Sequence, residues 1–114
     1  MKIITAKVFD MNFPQLKIRR KPSKKAIVGC PIMLKGSYKP IGYVHPLTKI
    51  TKKKNNIFAD IIIWDRFLDG FVAGQLSFYS YEMIIKRIRY RHDRKIIASV
   101  DRITAVILQV NEIN

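Results

Sequence analysis

Ser77 is the residue in this chain whose type and setting could do chemistry. It opens a run of aromatic, apolar and basic residues, SFYSYEMIIKRIRYR. A serine hydroxyl is a weak nucleophile unless a neighbouring base takes its proton and a third group orients that base. The two histidines are His45, before Pro46, and His92, beside Asp93. His92 and Asp93 make a base–orienter pair on paper, but neighbours in a tight charged turn ordinarily point into solvent. Asp60, Asp65 and Asp69 are close in sequence, yet the pattern assigns them to a turn at a strand end, a helix N-cap and a solvated helix position. The two histidines do not have metal-ligand spacing. The single cysteine, Cys30, allows no internal disulfide and no cysteine-based zinc site. No glycine-rich phosphate loop or dinucleotide fingerprint is present, and no cofactor is expected.

Charge is the strongest compositional signal. The 114 residues hold 22 Lys and Arg against 8 Asp and Glu, a net charge of +14. Sixteen of the basic residues fall in three runs, 17–25, 49–54 and 86–95, which the pattern puts at strand ends and in connections. Such a field attracts polyanions, either nucleic acid or an acidic protein surface. Arg19, Arg20, Lys52, Lys53, Lys54, Arg87, Arg89 and Arg91 are the candidate binding residues. The last three share one face if 86–91 is a strand, and with Tyr79, Tyr81 and Tyr90 they interleave cations with stacking surfaces. Hydrophobic residues make up 48%, ample for one folded domain spanning 1–114. No apolar run reaches the ~20 residues of a membrane span, and the N-terminus lacks a signal-peptide pattern.

The elements that must position these residues read as strands. Residues 2–10 alternate, with Ile3, Thr5 and Lys7 set against Ile4, Ala6 and Val8. LKIRR (16–20) suits a charged edge strand. AIVGCPIML (26–34) is a long apolar strand whose Pro31 implies an edge or a bulge, with Cys30 a small buried hydrophobe. A turn at 35–39 leads into Pro40 to Val44. Asn55-Asn56 is a hairpin tip with a return strand from Ile57 to Trp64. Asp65 caps a short helix over 66–72. Two long strands follow, 77–91 and 96–110, turning at His92-Asp93. Tyr38 and Trp64 are packing residues. The expectation is one mainly β domain, a small barrel-like or closed antiparallel or mixed sheet with one short helix.

The order of three phrases resembles the core of the head-maturation (prohead) proteases of tailed phages. The run Ile32-Met33-Leu34-Lys35-Gly36-Ser37, then Lys39-Pro40-Ile41-Gly42, matches the family's histidine motif with its Pro-Ile-Gly intact. Gly36 holds the histidine's place. Leu76-Ser77-Phe78-Tyr79 matches the nucleophile phrase, with Tyr79 where a glycine belongs. Asp101 to Ile107 fits the late strand that carries the family's acid, with Thr104 at the acid's position. The resemblance spans about residues 26–112 and implies a protease fold in which Ser77 is vestigial.

What it implies for function is a non-catalytic structural protein of the phage head. Such a protein would be present in many copies in the virion, assembled in the host cytoplasm and docked through its basic loops. Its partner would be the major capsid protein, other head proteins or packaged DNA. The other readings are a nucleic-acid-binding module using strand 86–95, and a divergent serine protease pairing Ser77 with His45 or His92.

Overall fold

The structure is a computed structural model that describes residues 2–11, 17–18, 21–37, 39–64, 76–91 and 94–111. Among these residues, eight strands and one short helix build a single mixed sheet that curls into a half-barrel. In chain order they are β1 (Lys2–Asp10), β2 (Lys17–Ile18), α1 (Lys24–Ile27), β3 (Pro31–Leu34), β4 (Pro40–Val44), β5 (Thr51–Lys53), β6 (Asn56–Ile63), β7 (Leu76–Arg91) and β8 (Arg94–Val110). The strands lie in the order β1-β6-β4-β3-β8-β2, with β5 beside β6 and β7 beside β8. Two pairings are parallel, β3 with β8 and β2 with β8, and the rest are antiparallel.

Alternation accounts for the core. Along β6, Ile57, Ala59, Ile61 and Ile63 are buried on one face, as a period of two requires. Across the ladder, β1 keeps Ile4 and Ala6 half-buried and leaves Thr5 and Ile3 exposed, Ile3 at 52%. A shift of register between Lys7 and Phe9 then buries Val8 and Phe9 together, the effect of a bulge on facing. Ile27, Ile32, Ile41, Val44, Ile103, Val106 and Leu108 complete the interior.

Several local expectations are corrected. The first two residues of the long apolar run, Ala26 and Ile27, belong to the helix α1 and not to a strand; Ser23 is the helix's N-cap residue, and Gly29 at φ 74° turns the chain out of it. The strand begins only at Pro31 and is central, flanked by β4 and β8; of the edge or bulge that Pro31 implied, the bulge is found, as a register shift between Ile32 and Met33. Pro31 is tolerated there because it is the first residue, where a missing N–H costs least. The hairpin tip is Lys54-Asn55, one residue earlier than expected, because Lys54 takes the left-handed φ of 56° and Asn56 already pairs with Lys53. Asp60 lies inside β6, not in a turn, and accepts a hydrogen bond from Thr5 Oγ1 at 2.8 Å. The basic run 86–95 does lie at strand ends, the last residues of β7 and the first of β8, and so is not one of the docking loops. The expected helix over 66–72, its cap Asp65, Asp69, Tyr38, Arg19, Arg20, His92 and Asp93 lie outside the described residues.

Candidate functional site

β8 is the spine beside which Gly36, Ser77 and Thr104 are placed. Its last residues have β3 on one side and β7 on the other, so Leu34 and Phe78 both stand opposite Leu108. Ser77 faces Gln109 on one flank. On the other flank Lys35 N donates to Leu108 O at 2.8 Å and carries the chain into the Gly36 turn. Gly36 and Ser77 are thus brought to one end of the sheet, about two strand spacings or 10 Å apart. Thr104 is not brought with them. It sits five residues earlier on β8, about 16 Å away along the strand, beside Cys30 and Arg102 in a separate hollow of about 370 Å³.

The surroundings of Ser77 do not activate it. Its hydroxyl donates to Asn111 Oδ1 at 3.2 Å, an amide oxygen with no useful basicity. Gly36 has φ 83°, a conformation that costs an L-residue roughly 1–2 kcal/mol, so the turn favours glycine at this position over histidine. His45 is engaged locally: its Nδ1 accepts the Leu47 N–H at 2.9 Å, at the far end of β4. Gly42, in the Pro-Ile-Gly phrase, is there for packing. A Cβ at that position would meet the Ile62 carbonyl oxygen and the Ile63 backbone of β6.

Ser77 instead lines a groove of about 630 Å³ between β7 and β1. Lys7 lines the same groove; its ammonium is 3.0 Å from Asp10 Oδ2 and 4.8 Å from the Phe78 ring centre. Lys7 and Phe58 were not legible as site residues in the chain. The available signal was the alternation of β1, which puts Thr5 and Lys7 on one face, but nothing local says that β7 will lie beside them.

Among the basic candidates, Lys52, Lys53 and Lys54 are all exposed on the β5–β6 hairpin. Arg87, Arg89 and Arg91 stand at alternate positions of β7, opposite Ser99, Ile96 and Arg94; their side chains lie outside the described residues. The tyrosines divide. Tyr81 is 8% exposed and packs on Phe9 at 4.3 Å between ring centres, whereas Tyr79 is 40% exposed. The shared face expected for them is broken by a register shift that leaves Tyr79 as the extra residue between Phe78 and Ser80. Trp64 packs against Tyr43 at 6.3 Å.

Cys30 is a buried thiol, 5% exposed, whose Sγ leans toward Pro31 O at 3.6 Å. Burial pushes its pKa up to about 12, with a backbone hydrogen bond from Val106 acting more weakly in the other direction. The folded value is raised, so the contribution to stability is fully present below the unfolded thiol pKa and is lost as pH rises toward about 12. With the unfolded thiol near 9.0, stability therefore falls by about 1.3 kcal/mol between pH 8.5 and pH 10, and Cys30→Ala flattens that slope. Urea titrations at the two pH values check this. Tyr81, also raised to about 12 by burial and by Asp10, starts to contribute at the upper edge of the window, by about 0.4 kcal/mol at pH 10, and that part of the slope persists in Cys30→Ala.

No protein-family model matches this chain, and no curated protein or solved structure matches it. Among the described residues no cluster of three or more His, Cys, Asp or Glu side chains could hold a metal ion. No helix among them is long and apolar enough to cross a membrane.

Proposed function

We propose that this chain is a non-catalytic docking protein of a tailed-phage head that grips a polyanion with the distal end of its β7–β8 ribbon, and that the polyanion is duplex DNA. The observation that carries the DNA reading is the register of that ribbon. Six of the ten residues from 86 to 95 are Lys or Arg, and Arg91 stands directly opposite Arg94. A two-stranded ribbon also has the width that the DNA major groove admits. From Arg87 to Ser99 the ribbon's other strand neighbour among the described residues is the two-residue β2.

The head-protein part of the proposal rests on the motif order from Ile32 to Ile107, and the approach of the Gly36 turn and Ser77 to one end of β8 supports it. The serine's amide partner and the left-handed glycine in the histidine's place favour binding over hydrolysis. An acidic capsid surface is the second reading, favoured by the exposed lysines of the β5–β6 hairpin on a different part of the sheet. Repetition on a lattice would turn modest single-site affinity into avidity.

Fluorescence anisotropy with a labelled DNA duplex tests the ribbon. Counting this chain against the major capsid protein in purified particles by mass spectrometry tests the head assignment. A fixed high copy ratio is expected there, and absence from the particle rejects it.

A further inference from the structure

The curled sheet stops short of closing, and the gap has two lips. One is β1, which pairs with β6 and has no second strand partner among the described residues; the other is β7, which pairs with β8. At one end the lips meet. The Phe9 and Tyr81 rings tilt together at 4.3 Å, and the Tyr81 hydroxyl donates to Asp10 O at 3.3 Å. Beyond that contact the lips part into the groove of about 630 Å³, whose walls include Ile4, Ala6, Lys7, Phe58, Leu76 and Leu108.

Its chemistry is that of an incomplete β-wall. An edge strand offers a row of backbone N–H and C=O groups at alternate residues, and the stretch 4–7 of β1 is about 13 Å long. Inward the groove meets core residues, with Leu108 fully buried at its floor. Outward it meets cations. Lys7, which lines the groove, lies over the Phe78 ring, and Lys53 lies over the ring of the lining residue Phe58 at 5.8 Å. The nearby carboxylates are already engaged, Asp10 by Lys7 and Asp60 by Thr5.

We infer that this gap receives one extended strand of an acidic partner protein, with apolar side chains turned to the floor and carboxylates turned to Lys7 and Lys53. Pairing along the β1 lip supplies affinity, and the two side-chain rows supply specificity. Charge selects this occupant over a second copy of the chain. At +14 two copies repel, and the β1 lip of a second copy would bring its own Lys2 and Lys7.

The test uses a fluorescein-labelled peptide of four Val-Glu repeats, and a control of four Val-Lys repeats. Anisotropy should show binding of the first peptide and at least tenfold weaker binding of the second. Amide hydrogen exchange should slow at residues 4–7 and 76–78 when the acidic peptide is present. Lys53→Glu, an exposed change that leaves the core intact, should weaken binding by about fivefold. Ala6→Glu, which places a carboxylate in the groove, should abolish it in protein that still melts cooperatively. Equal binding of both peptides overturns the inference, as does protection confined to 86–99. Protection of the lips that grows with protein concentration without peptide would assign the gap to a second copy instead.

Discussion

Binding of this protein to duplex DNA should weaken by about 500-fold when salt rises from 50 mM to 200 mM. The figure follows from counterion release, in which each neutralised phosphate adds about 0.9 to the slope of log affinity against log salt. Five phosphate contacts from the six basic residues of 86–95 give a slope of roughly −4.5. Replacing Arg87, Arg89 and Arg91 together with Gln should reduce the slope to about −1.8, leaving only about a 12-fold loss over the same range. Lys52, Lys53 and Lys54 replaced together provide the control, because the hairpin lies on β5–β6 and away from the ribbon in the sheet order. If the ribbon variant keeps the full slope, the ribbon is not the contact. If the hairpin variant loses as much as the ribbon variant, the attraction is a diffuse property of net charge. Pairing both variants with an acidic protein surface in place of DNA then separates the two readings of the partner.

The second large effect is on stability. Gly42→Ala should destabilise the fold by about 3 kcal/mol or more, lowering the melting temperature by roughly 15 °C. The reason is local and severe. β4 lies against β6 at Gly42, opposite Ile63, and an added methyl would run into the Ile62 carbonyl and the Ile63 backbone. Those atoms belong to the central ladder, so neither can yield without moving the strand that carries Ile61 and Ile63. Gly36→Ala makes the comparison informative. Nothing lies within 4 Å of a Cβ there, so the cost is limited to the left-handed backbone, roughly 1–2 kcal/mol. Calorimetry of the two variants should separate them clearly. An equal, small loss for both would mean that β4 and β6 are further apart than the register requires. A markedly larger loss for Gly42→Ala would explain the glycine of the Pro-Ile-Gly phrase by strand packing alone.

Much of the architecture follows from local pattern. The alternation in 2–10, the breakers at Pro22 and Gly36, and the β-branched runs at 61–63, 84–88 and 96–97 mark strands, because side chains of period two need a face to bury. Charge, the single cysteine and the absence of paired carboxylates also follow from the chain alone, and they direct attention to binding. Boundaries were less legible. Ala26 and Ile27 read as the start of an apolar strand, and they are helical because Ile27 reaches the core from α1 while Gly29 reverses the chain.

Tertiary structure alone decided which residues meet. Ser77 and Gly36 are 41 positions apart, and they converge because β3 and β7 both pair with the last residues of β8. Thr104, on that same strand, is left about 16 Å away by nothing more than the rise per residue. The split between Tyr79 and Tyr81 depends on an extra residue in β7, which no alternation within the strand announces. The gap between β1 and β7 likewise depends on how far the sheet curls before Phe9 meets Tyr81. Periodicity is a property of neighbours along the chain. Register, bulges and closure are set by packing between strands far apart in it, and there the functional surfaces of this protein are made.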